Sequence, residues 1–162
     1  MNKGSHRLGF FIMTLGLLVC LSGCDNLNVT KEKPCLESLA GNWQMTPYSP
    51  EWIRSAGLPV PVGISLDLRA DGTFTASHMP AWWATHASRP LDEILQGQWA
   101  VVRKENAYWV VQLEFTGPKT QEILILRGEG PYLLHQFVSD PDEGKAMVLE
   151  KTPKNLRAEQ KP

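Results

Sequence analysis

From residue 39 onward, apolar and polar positions alternate in short runs separated by turn residues. Ile64, Leu66 and Leu68 interleave with Ser65, Asp67 and Arg69, the period-two pattern of a strand with one buried face. Ala70-Asp71-Gly72 ends that run, and Asp-Gly between alternating segments marks a hairpin because Gly adopts positive φ cheaply. The return over residues 73–78 is expected to turn Phe74 and Ala76 inward. Residues 108–115 put Trp109, Val111, Leu113 and Phe115 on one face and leave Glu114 on the solvated one. Further breaks fall at Lys104-Glu105-Asn106-Ala107, Gly117-Pro118-Lys119, Gly128-Glu129-Gly130-Pro131 and Asp140-Pro141-Asp142-Glu143-Gly144. The pattern predicts eight strands, over 41–46, 63–69, 73–78, 97–103, 108–115, 121–127, 132–138 and 145–151. The fold class is all-β. An eight-stranded antiparallel up-and-down barrel fits the series, since closure removes exposed strand edges; a two-sheet sandwich is the rival.

Two connections exceed hairpin length. Residues 46–62 carry Pro47, Pro50, Pro59 and Pro61, with one or two helical turns expected over 51–56. Residues 79–96 carry Pro80, Trp82, Trp83, His86 and Pro90. In Pro90-Leu91-Asp92-Glu93-Ile94-Leu95, Pro at the first position, acids in the first turn and apolar spacing predict a short helix stopped by Gly97.

The start of the chain follows a different pattern. Lys3, His6 and Arg7 precede an apolar run over residues 8–21, too short for a spanning helix of roughly 20 residues. A basic start, a short apolar run and small residues read as a secretory signal. Leu21-Ser22-Gly23-Cys24 resembles the bacterial lipoprotein lipobox: an aliphatic residue, two small residues and the Cys that receives lipid. The resemblance implies cleavage before Cys24, a lipid anchor on Cys24 and a place in the cell envelope facing the periplasm. Asp25 next to it implies inner-membrane retention where the host sorts lipoproteins by that residue. The expected organisation is a signal peptide over 1–23, a lipidated Cys and tether over 24–38, a barrel over 39–152 and a polar tail over 153–162. As a flexible coil, residues 25–34 would average about 17–19 Å end to end.

Composition then narrows the partners. The formal charge is −1, and a cut before Cys24 removes Lys3 and Arg7 and no acid, lowering it to −3. That disfavours nucleic acid, which calls for a clustered basic face. Of three Cys, Cys20 leaves with the signal and Cys24 takes lipid, so Cys35 has no intrachain partner. It is expected as a small buried hydrophobe rather than a link to another chain.

Gly41-Asn42-Trp43 at the first strand, followed by antiparallel β structure, resembles the lipocalin and calycin superfamily. There the Trp closes the barrel floor and a basic residue of a late strand packs over it; Arg127 or Lys151 would take that part. The run from Leu66 to Ser77, then Pro80 and a Trp, then Gly97-Gln98-Trp99, is similar to bacterial lipocalin-like lipoproteins. The resemblance carries fold and no activity.

Candidate functional residues lie in the long loops. Adjacent Trp82 and Trp83 cannot both point into one strand face. One of them is then either at a barrel mouth, where aromatics anchor ligands, or part of a lid packed over the barrel end. Trp52 joins the same patch if both loops cap one end. His78, His86 and His135 lack metal-ligand spacing, and Asp140, Asp142 and Glu143 read as a turn rather than a calcium loop. His86 is the one His in a Trp-rich loop. No nucleophile–base motif or phosphate loop occurs. The chain thus reads as a non-enzymatic binding domain that needs no cofactor or metal. Its expected partners are the membrane, through Cys24, and a small apolar or amphipathic ligand. The second reading is a protein-binding module, such as a cell-wall hydrolase inhibitor or an accessory of an envelope complex.

Overall fold

Eight strands pair in chain order and the last returns to the first: β1 (Gly41–Met45), β2 (Ser65–Leu68), β3 (Thr73–Ser77), β4 (Leu95–Lys104), β5 (Tyr108–Phe115), β6 (Gln121–Arg127), β7 (Leu133–Phe137) and β8 (Ala146–Lys151). The computed structural model describes residues 28–80, 82–83, 94–105, 107–116 and 121–153. Every pairing is antiparallel, and β1–β8 contacts close the barrel, so the up-and-down arrangement holds and the sandwich does not. Helix α1 (Leu36–Leu39) precedes β1, and α2 (Ser49–Ser55) lies in the β1–β2 connection.

Register sorts each strand into inward and outward positions, because side chains alternate between faces. Leu68 pairs with Phe74, Phe74 with Gly97, and Gly97 with Phe115. Trp99 pairs with Leu113, Val111 with Leu124, and Leu126 with Leu134, which pairs with Leu149. All of these are inward, and the inward apolar side chains form one buried cluster. The expected inward sets of β2, β3 and β5 are those observed, and Glu114 is exposed. An interior made by eight strands is just wide enough for such side chains to fill.

Gly97, expected as a helix stop and as the first residue of a strand over 97–103, sits inside a strand that begins two residues earlier. Leu95 belongs to β4 and pairs with Ala76. Ile94 precedes the strand, and residues 84–93 lie outside the described residues. Ladder pairing claims Leu95, and residues 90–93 of the expected helix lie outside the described residues. Gly97 is required by packing: a Cβ there would stand 1.9 Å from the Glu114 carbonyl oxygen and 2.8 Å from the Phe74 ring. Phe74 and Phe115 flank it in the ladder and meet edge to face, centroids 5.4 Å apart. Glycine lets the two rings close over the strand.

The two ends of the barrel differ. At the hairpin end lie the β2–β3, β4–β5 and β6–β7 turns and α1. Trp43 Nε1 donates to the Leu39 carbonyl at 2.9 Å, and buried Leu39 plugs the floor. Lys151 is the partner of Trp43 in the ladder, and its Nζ donates to the Ser38 carbonyl at 2.9 Å. A Cβ at Gly41, where φ is 144°, would meet Lys151 Cε at 2.6 Å. Lys151, not Arg127, therefore occupies the floor position; Arg127 pairs with Leu133 on the outward face. In the β2–β3 turn, Asp71 accepts from the hydroxyl and N–H of Thr73, which hold its carboxyl below its usual range. Trp99 seals this turn, its N–H on Gly72 and its Nε1 on the Arg69 carbonyl.

The segment expected as a loose tether is docked from Asn28 on. Val29 bridges to Arg127, Thr30 N–H donates to the Leu126 carbonyl, and Gly128 N–H donates to the Asn28 carbonyl. Trp109 Nε1 reaches the Lys31 carbonyl at 3.1 Å, and the Lys33 ammonium stands 5.7 Å from the Trp109 ring centre. Backbone donors and acceptors left open at the end of β6 explain the docking. Cys35 is exposed rather than buried, since as N-cap of α1 it gives its carbonyl to Ser38 and keeps its side chain outside.

Gly97→Ala is expected to cost about 2 kcal/mol or more, because the added carbon meets backbone. Gln98→Ala, on the exposed face, is expected to stay within about 0.5 kcal/mol. Urea unfolding followed by circular dichroism checks both, and a wild-type midpoint for Gly97→Ala contradicts the packing account.

Candidate functional site

In an up-and-down barrel, the first and third connections leave the same end. The Trp52 loop and the Trp82-Trp83 loop therefore share the loop end, opposite α1. Trp83 is 2% exposed and meets Phe115 edge to face, centroids 5.5 Å apart. It forms a lid over the Phe74–Phe115 pair. Trp82 is half-buried against the same core. Partly exposed apolar side chains ring this mouth: Met45, Leu58, Val60, Trp82, Leu95 and Val138.

The hydrogen-bond status of the indoles separates the two ends. Trp43, Trp99 and Trp109, at the hairpin end, each donate Nε1–H to a backbone carbonyl. At the loop end, Nε1 of Trp82 and Nε1 of Trp83 are buried and have no partner. A buried donor left unmade costs about 1–3 kcal/mol, so these two are unusual for a site that only packs.

Gln136 adds an acceptor. It is inward on β7, where it pairs with Met147, and its Oε1 is buried without a partner. The register Ile125↔His135 carries Gln136 alongside Leu124, one inward step from Glu122 on β6. Glu122 pairs with Leu113, one inward step below Phe115, the residue under Trp83. Trp83, Phe115, Glu122 and Gln136 thus succeed one another around the mouth. Diagonal neighbours on adjacent strands lie about 7–8 Å apart, within reach of long side chains. The sequence reading passed over Gln136 and Glu122. Their signal was a polar residue at an inward position of an apolar strand.

Trp52 is placed elsewhere. Helix α2 lies on the outer wall: Ser49 Oγ takes the Val148 N–H at 2.9 Å, and Val148 is outward and fully buried beneath the helix. Trp52 there packs edge to face on Tyr48, centroids 5.1 Å apart. His86 and Cys24 lie outside the described residues. His78 is exposed just beyond β3. Asp140, Asp142 and Glu143 form a capped turn, in which Asp140 Oδ1 accepts from Asp142 N–H and Gly144 takes φ 68°. Lys145, 3.0 Å from Glu143, holds that carboxyl below its usual range. Among the described residues, no three His, Cys, Asp or Glu side chains group to hold a metal.

His135 is the buried titratable group of the outer wall. It lies between Ile125 and Val148 and is 6% exposed, and its Nε2 has no partner. Burial, and then the positive charge of Arg127, lower its pKa from 6.5 to about 4. Arg127 Nε is also buried and unpartnered, and burial lowers that group as well. A neutral His135 suits this apolar wall, where a second cation beside Arg127 would be penalised.

The chain matches no protein-family model, no curated protein and no solved structure. The site is read from its own residues.

A histidine with a depressed folded pKa leaves the unfolded chain holding the extra proton between the two values. The stability it supports is complete above about pH 6.5 and is lost as pH falls toward about 4, up to about 3 kcal/mol. His135→Gln is expected to flatten that part of the curve of unfolding free energy against pH. An unchanged slope between pH 6.5 and 4 contradicts the burial account.

Proposed function

We propose that this chain is an envelope lipoprotein, anchored to the membrane through Cys24 and facing the periplasm. Its barrel is a non-enzymatic binding domain that takes a small apolar or amphipathic ligand at the loop end. One observation carries the reading: the indoles of the closed end are hydrogen-bonded, and those of the loop end are buried and unpaired. Binding sites combine an apolar lining with a few polar groups that fix orientation. The rim of Met45, Leu58, Val60 and Leu95 supplies the lining, and the orphan atoms of Trp82, Trp83 and Gln136 supply the polar groups.

The docked leader supports an orientation. Three residues separate Cys24 from Asn28, a span of at most about 14 Å. Asn28 is bonded at the hairpin end. An anchor on Cys24 then holds the hairpin end against the bilayer and turns the loop end outward. Asp25 favours retention at the inner membrane.

A second reading has its own observation. Among the described residues, the large exposed hydrophobic ones are Tyr48 at 42%, Val62 at 85% and Ile94 at 62%, and all three belong to loop-end connections. An apolar surface held away from the membrane suits a protein partner, such as a cell-wall hydrolase or an envelope complex. A photoreactive residue at position 62, crosslinked in intact cells, separates the readings. One stoichiometric protein partner favours the second.

Cys24→Ala is expected to abolish metabolic labelling by palmitate and to move the protein out of the membrane fraction. Retention of label contradicts the anchor. Intrinsic Trp emission, titrated with long-chain amphiphiles, is expected to saturate. Trp83→Phe, which keeps the ring contact with Phe115, is expected to weaken binding about five- to tenfold, the weight of one hydrogen bond. No saturable change with any amphiphile contradicts the ligand reading.

A further inference from the structure

We infer that the ligand of the loop end is an uncharged amphiphile with a hydroxyl-bearing head, such as a monoacylglycerol or long-chain alcohol, and not a fatty acid anion. This rests on the ligand reading above and follows from the donors and acceptors left open at the mouth. Trp82 Nε1 and Trp83 Nε1 are donors only. Gln136 presents its carbonyl oxygen, an acceptor, as the buried unpartnered atom. A head that completes this set has to accept from the indoles and donate to Gln136 on β7.

A hydroxyl does both, and a glycerol head carries two of them. A carboxylate satisfies the indoles and leaves the Gln136 carbonyl unmatched, so one of the three orphans would remain. A buried acceptor that stays unpaired keeps its desolvation penalty, which is the usual basis for rejecting an analogue that lacks one group. The tail fits the apolar rim rather than the barrel axis. Below the mouth, inward positions are filled by Phe74, Trp83, Phe115 and Leu113, each at most 8% exposed. Leu58, Val60 and Trp82 are only partly covered and offer the tail an apolar seat at the core's edge.

The test uses the full chain in native membrane vesicles. Two photoreactive probes with one and the same diazirine-bearing acyl chain are compared, a monoacylglycerol and the free fatty acid. Labelled peptides are located by mass spectrometry. The monoacylglycerol is expected to label peptides containing Trp83, Phe115 or Gln136 at least fivefold more than the acid. Gln136→Leu, nearly the same size, is expected to bring the two probes to equal labelling. Trp83→Phe is expected to reduce both while keeping their ratio. Equal or stronger labelling of the loop end by the acid overturns the head-group inference and leaves the ligand reading standing. Labelling of the loop end by neither probe overturns both.

Discussion

Closure of β1 on β8 is the constraint from which the rest of the structure follows. Once Trp43 stands opposite Lys151, every strand has two partners and every inward side chain is committed to one enclosed space. The interior tolerates little variation in volume. Gly97 shows the consequence, since the Phe74 and Phe115 rings meet across it and Trp83 stacks on Phe115 in turn. One missing side chain in β4 allows an aromatic column to reach the mouth. Closure also puts the connections on alternate ends, so the two long loops share one end and α1 and the leader occupy the other.

That division gives the barrel a structural pole and a chemical pole. At the hairpin end, the indoles and the lysine are matched: Trp43 by Leu39, Trp99 by Arg69, Trp109 by Lys31, and the Lys151 ammonium by Ser38. At the loop end, buried polar atoms of Trp82, Trp83 and Gln136 are open. Natural proteins pair buried polar groups almost everywhere, and the three unmatched inward atoms at the loop end are the ground for proposing that a ligand is bound there. The outer wall also holds buried groups without hydrogen-bond partners, His135 Nε2 and Arg127 Nε. Its histidine is kept neutral by burial beside Arg127, and α2 ties to its ladder neighbour Val148.

Much of the fold was legible because strand periodicity is a local property. The Leu66-Leu68 and Phe74-Ala76 alternations and the Trp109-to-Phe115 face each declare an inward side without reference to any other strand. At Leu95 and in the leader, tertiary partners overrode local preference. Leu95 carries helix-compatible spacing and was drawn into β4 by pairing with Ala76. Residues 28–34 look like a solvated leader and were captured by open backbone groups beside β6. The site was legible in part. Two adjacent Trp flagged their loop, but Trp52 went to the outer wall because Ser49 ties α2 to Val148. Gln136 became visible only when register showed that it faces inward, since hydrogen-bond satisfaction depends on neighbours far away in the chain.

The most direct measurement is a ¹H–¹⁵N spectrum of the indole N–H groups, recorded with and without a saturating monoacylglycerol. The account predicts downfield proton shifts for Trp82 and Trp83, which gain an acceptor, and no change for Trp43, Trp99 and Trp109, whose carbonyl partners are already in place. Shifts confined to Trp43, Trp99 or Trp109, or indole signals of Trp82 and Trp83 that are unmoved with ligand bound, would contradict it.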